Sequence, residues 1–106
     1  MEETEIIDWI RAKVNSNEYE AKLHAVQKMN ERGIMPDDIK SALIDSKLVE
    51  NYPDDKRGHS CLVWGKTKSG RDLHIVCGIS EELLWIITIY EPGKEEWETP
   101  ERRREK

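Results

Sequence analysis

Apolar side chains in the first part of the chain recur three and four positions apart, and from about residue 48 they recur every second position, so a helical half precedes a strand half. Ile6, Ile7, Trp9, Ile10 and Val14 predict a first helix over residues 4–14, with Thr4 as its N-cap. Asn17 followed three residues later by Glu20 resembles a capping box opening a second helix. Its apolar face would be Tyr19, Leu23, Val26 and Met29, and Gly33 would stop it by taking a positive φ. Pro36, with Asp37 and Asp38 behind it, suits the first turn of a third helix, which carries Ile39, Ala42 and Leu43 inward and ends near Asp45.

Residues 48–52 read as a strand, and residues 53–58 as a loop rich in turn formers. Residues 59–66 and 71–79 form a hairpin around Lys68, Ser69 and Gly70, with Gly70 in the left-handed position. Pairing Thr67 with Arg71 fixes the register: Cys61 faces Cys77, Val63 faces Ile75 and Gly65 faces Leu73. Leu62 and Trp64 then face Val76 and His74 on the other side, so both faces are largely apolar. A nearly continuous apolar run over residues 83–91 predicts a central strand, which Pro92 and Gly93 end.

The expected fold is therefore α+β, with three N-terminal helices on one face of a four-stranded, mainly antiparallel sheet. Val26, Met29, Leu43, Val63, Ile75, Ile87 and Ile89 are the expected core. One domain over residues 1–93 would be followed by a charged tail over 94–106, anchored by Trp97. That tail is expected to fray or dock weakly, and it or a partner could cover the second apolar sheet face.

Composition narrows the function classes. The 106 residues suffice for one core, and the charge of −5, from 22 acids against 17 bases, argues against a protein that coats nucleic acid through a broad positive surface. No run approaches the roughly 20 apolar residues of a membrane helix, and the acidic start is unlike a secretory leader. The expectation is a cytoplasmic protein with no membrane partner. Cys61 and Cys77 are too few for a disulfide framework or a tetrathiolate zinc site and read as reduced core thiols. Glycine-rich phosphate loops, a nucleophile elbow and the zincin signature are absent, and no cofactor or metal is expected.

The candidate catalytic residues are His24, Lys28 and Arg32, which fall at i, i+4 and i+8 of the second helix and so line one stripe. Metal-free RNA cleavage needs a base for the 2′-hydroxyl, cations against the phosphorane charge and an acid for the leaving oxygen, and an imidazole beside two cations supplies those types. Arg57 and His59 could add a phosphate contact and a second imidazole, and Tyr90 could donate a proton. The same residues also fit a solvated helix face, a turn and a strand end.

Several segments in fixed order carry a resemblance: His24-Ala25 with Lys28-Met29 and Arg32-Gly33-Ile34, then Tyr52-Pro53-Asp54, Arg57-Gly58-His59-Ser60 and the run Arg71 to Val76. Ile89-Tyr90-Glu91-Pro92, Trp97 and the trailing arginines complete it. Over about residues 20–104 the chain resembles the prokaryotic domain-of-unknown-function family 4258. The resemblance implies a layout similar to small RelE-like and BrnT-like ribonuclease toxins, and a partner similar to the zinc-ribbon antitoxins of the MqsA kind. Lys28 stands where that family more often has Arg. Two function classes follow: an RNA-cleaving toxin of a type II toxin-antitoxin pair, with RNA as substrate, or a noncatalytic module that docks a protein or a second copy of itself through its sheet.

Overall fold

The computed structural model describes residues 2–103. Its elements run α1 (Glu3–Asn15), β1 (Tyr19–Ala21), α2 (Leu23–Arg32), α3 (Pro36–Ile44), β2 (Lys47–Tyr52), β3 (Ser60–Lys66), β4 (Asp72–Ile79), β5 (Leu84–Tyr90), β6 (Trp97–Thr99) and β7 (Arg102–Arg103). The main sheet has the order β1-β5-β4-β3-β2, and β6 and β7 form a separate hairpin. The α+β architecture and the three helices agree with the sequence. The sheet has five strands rather than four, because Tyr19–Ala21 is a strand that runs parallel to β5, while all other pairings are antiparallel.

That extra strand follows from Asn17. Instead of opening a helix, Asn17 closes α1: it sits at φ 58°, where Asn is tolerated. Its N–H donates to Val14 O (3.2 Å) and that of Glu18 donates to Lys13 O (2.8 Å). This is the Schellman pattern, with Asn in the place glycine more often takes. The chain leaves α1 extended, and Lys22 N–H donates to Ile86 O (2.9 Å) before α2 begins at Leu23. α2 buries only Ala25 fully. Leu23 is 73% exposed and Val26 39%, so Val26 does not join the core, and Met29 packs at its margin. Gly33 ends α2 at φ 63° as expected, and Asp38 accepts the Met35 N–H (2.9 Å) at the start of α3.

The β3–β4 register is the one the hairpin loop predicts: Cys61 faces Cys77, Val63 faces Ile75 and Gly65 faces Leu73. Thr67 N–H donates to Arg71 O (3.0 Å), and Gly70 has φ 88°. α1, α2 and α3 cover one face of the main sheet, where Ile6, Ile10, Leu43, Val63, Ile75 and Ile89 are fully buried. Gly65 lets α3 lie directly on β3, since a Cβ there would come within 2.0 Å of Ala42 O. Ile87 is not in this core. Thr88 pairs with Val76 but Ile86 with Cys77, so Ile87 is the extra residue of a β-bulge, which turns Ile86 and Ile89 to the helix side.

On the other face the β6–β7 hairpin docks rather than frays. Trp97 is 3% exposed and meets His74 edge-on, with ring centroids 4.5 Å apart. Arg103 grips Glu50 through two charge-assisted bonds (2.7 and 3.0 Å). Among the described residues no helix is long and apolar enough to cross a membrane.

Candidate functional site

The loop between β2 and β3 is held by Asp55. Its carboxylate accepts from the Arg57 N–H (3.0 Å) and the Ser60 hydroxyl (2.8 Å), and these bonds, that to Arg57 first, hold its pKa below the ordinary value. Gly58 takes φ 112°, which a residue with a Cβ would resist, and its N–H closes the turn on Asp55 O (2.9 Å). His59 O accepts from Ile79 N–H (2.9 Å) and ties the loop to the end of β4.

So fixed, the loop borders a cleft of about 460 Å³. Arg57 and His59 line it from the loop, Gly78 from β4, Trp85 and the bulged Ile87 from β5, and Lys22 from the β1–α2 junction. The Lys22 ammonium stands 3.8 Å from the Trp85 ring centroid, a cation–π contact. The Arg57 side chain is 79% exposed and keeps a long contact to Asp55 (3.6 Å). His59 Nε2 lies 2.6 Å from Asn51 Oδ1; a carbonyl oxygen can only accept, so Nε2 carries the hydrogen and Nδ1 is the basic nitrogen of neutral His59.

Gly78 keeps this cleft open. A Cβ at residue 78 would meet Trp85 Cβ at 3.3 Å and Ile87 Cδ1 at 3.2 Å. An aromatic surface with a cation over it, a second cation and an imidazole can stack a base and hold its phosphates.

Of the sequence-predicted residues, only Arg57 and His59 come together in this cleft. His24, Lys28 and Arg32 remain a stripe on α2, whose first turn follows directly on Lys22. His24 and Arg32 are exposed, Lys28 pairs with Glu31 (3.7 Å), and the Arg32 carbonyl accepts from Arg71 (3.0 Å). Tyr90 is placed elsewhere. Its hydroxyl lies 3.3 Å from His74 Nδ1 under the C-terminal hairpin, and burial raises its pKa.

Lys22, Gly78 and Trp85 are not among the candidates the sequence singled out. The signal available was the apolar outer sheet face, since alternation puts Gly78 and Trp85 opposite each other there. Nor did the sequence single out the His74 cluster. His74 is fully buried, its Nε2 donates to Pro100 O (2.6 Å), and burial lowers its pKa.

Cys61 and Cys77 are both buried, and the hydrogen bond with the adjoining Cys61 thiol, then burial, raises the Cys77 pKa well above the ordinary value. A buried thiol so shifted is a poor nucleophile.

Fold and cleft together define a small α+β domain with an aromatic, cation-flanked groove on one end of its sheet. The chain belongs to the DUF4258 family, described as a domain of unknown function, whose model matches residues 22–91, from the cleft lysine to the end of β5. No curated protein and no solved structure matches it.

Proposed function

We propose that the cleft binds single-stranded RNA and cleaves it without a metal, as the toxin component of a toxin-antitoxin pair would. The observation that carries this reading is the grouping of Lys22, Arg57, His59 and Trp85 around one cleft in a chain of net charge −5. Trp85 would stack a base, and Lys22 and Arg57 would neutralise the scissile phosphate.

His59 Nδ1 would take the 2′-hydroxyl proton as O2′ attacks phosphorus. The P–O5′ bond breaks, and the departing O5′ takes a proton from His24, the exposed imidazole two residues beyond Lys22. The products are a 2′,3′-cyclic phosphate and a free 5′-hydroxyl. Lys28 and Arg32 would continue the phosphate track along α2. The helix-then-sheet order, which the family resemblance likens to RelE-like and BrnT-like toxins, supports the reading by analogy only. A zinc-ribbon antitoxin is the matching partner.

The test is end-labelled single-stranded RNA in EDTA with the wild-type chain, His59→Ala and His24→Ala. Cyclic-phosphate ends made by wild type and reduced at least about 100-fold in both variants are expected for a lost base and a lost acid. Intact RNA, or equal cutting by all three proteins, overturns the catalytic reading.

A further inference from the structure

β1 is an edge strand. Only alternate residues of a parallel strand bond to a given neighbour, and here Glu18 O accepts from Leu84 N–H (3.1 Å) while Lys22 N–H donates to Ile86 O (2.9 Å). The even-numbered residues therefore face β5. The N–H and C=O groups of Tyr19 and Ala21 face outward, where no strand among the described residues pairs with β1. Four polar backbone groups in a row form a template for another extended chain.

Beside this edge, on the helix side of the sheet, lies an open groove of about 400 Å³ lined by Val26 and Met29 of α2, Ile34 and Met35 of the connection, and Ile39 of α3. Val26 is 39% exposed and Met35 63%, a poor use of apolar surface if nothing binds there.

We propose that this edge and groove take an extended segment of another polypeptide, added to the sheet as a sixth strand. Its chemistry follows from alternation. Residues opposite Tyr19 and Ala21 turn their side chains to the helix side, over the groove, and are apolar. The residue opposite Glu20 turns to the other face and is basic, because opposite charges across a strand pair stabilise it and like charges destabilise it. A second copy fits worse: antiparallel pairing of two β1 strands about their centre sets Glu20 against Glu20. The occupant is therefore an apolar–basic–apolar strand.

Blocked nine-residue peptides alternating Val with Lys, or Val with Glu, test this by titration into the full chain, followed by amide chemical shifts. The Val–Lys peptide should bind saturably, at least tenfold tighter than the Val–Glu peptide. Glu20→Lys should reverse that order. N-methylating one alternate set of Val–Lys amides should abolish binding, and N-methylating the other set should leave it, with the protein itself unaltered. The proposal is overturned by no saturation at about 1 mM, which is weaker than about −4 kcal/mol of binding. Indifference to peptide charge or to which amides are methylated also overturns it, as does a dimer of the chain that occupies β1 and excludes the peptide.

Discussion

The two faces of the sheet are held by different physics. The helix side is a dry apolar layer in which Ile6, Ile10, Leu43, Val63 and Ile75 have no exposed surface. The outer side carries an apolar floor too, yet what covers it, the β6–β7 hairpin, is fixed by a few polar anchors. These are His74 to Pro100 O and Arg103 to Glu50, whose carboxylate also accepts from the Tyr52 hydroxyl on β2. Shape and volume specify the first face, while Trp97 packing together with donor–acceptor pairing holds the second, so the second is expected to respond to pH and to detach without the first.

Removing volume from the helix side should do most damage. Ile75→Ala, in the central layer, is expected to cost about 4 kcal/mol by denaturant titration, with all probes of folding moving together. Gly65→Ala should cost about 3 kcal/mol, because its Cβ meets the Ala42 backbone and α3 must lift off β3. If either variant loses only the hairpin, the division between the faces is wrong.

Trp97→Ala should cost about 2 kcal/mol and release the hairpin while the helix side stays folded, read as lost protection of residues 97–103 in hydrogen exchange. Trp97→Phe keeps the edge-on packing against His74 and removes a buried indole N–H that finds no acceptor among the described residues, so its effect should stay within about 1 kcal/mol.

The register of the central hairpin was legible because one short loop with a glycine at its αL position sets every pair from Thr67 and Arg71 to Cys61 and Cys77. β1 was not, because Tyr19 and Leu23 also fit a helical period and the pairing of β1 with β5 spans more than sixty residues. Ile87 misled because a bulge inverts alternation without a glycine or proline to mark it. Arg57 and His59 could be read from their turn. Lys22 could not be joined to them, since β1 brings it to β5 only through that parallel pairing, whereas Gly78 and Trp85 face each other through the antiparallel β4–β5 pairing.

The His74 anchor gives a pH dependence of definite sign. Burial lowers its folded pKa below the ordinary 6.5, so the unfolded chain binds more protons in this range, and stability rises with pH. The contribution of neutral His74 is complete above about pH 6.5 and declines as pH falls from there toward the lowered folded value. Thermal midpoints should therefore fall below pH 6.5 in wild type and fall less in His74→Gln. Glu50 adds a separate loss at lower pH, because Arg103 holds its pKa below the ordinary 4.5. Tyr52, raised to about 12 by burial and by Glu50, stays protonated throughout.

The smallest effect is expected at the rim. Arg103→Ala should cost about 1 kcal/mol or less, since both partners of that pair are partly exposed and solvent screens them. A larger loss would mean that the hairpin depends on this pair more than on Trp97.

The proposed functional surface is the outer cleft beside Trp85. That proposal is tested most directly by following backbone and indole N–H resonances while a short single-stranded RNA is added. Shifts at Arg57, Gly58, Gly78 and the Trp85 indole, with Trp9 and Trp97 unmoved, are the predicted result. No shifts, or shifts confined to residues outside the cleft, would contradict it.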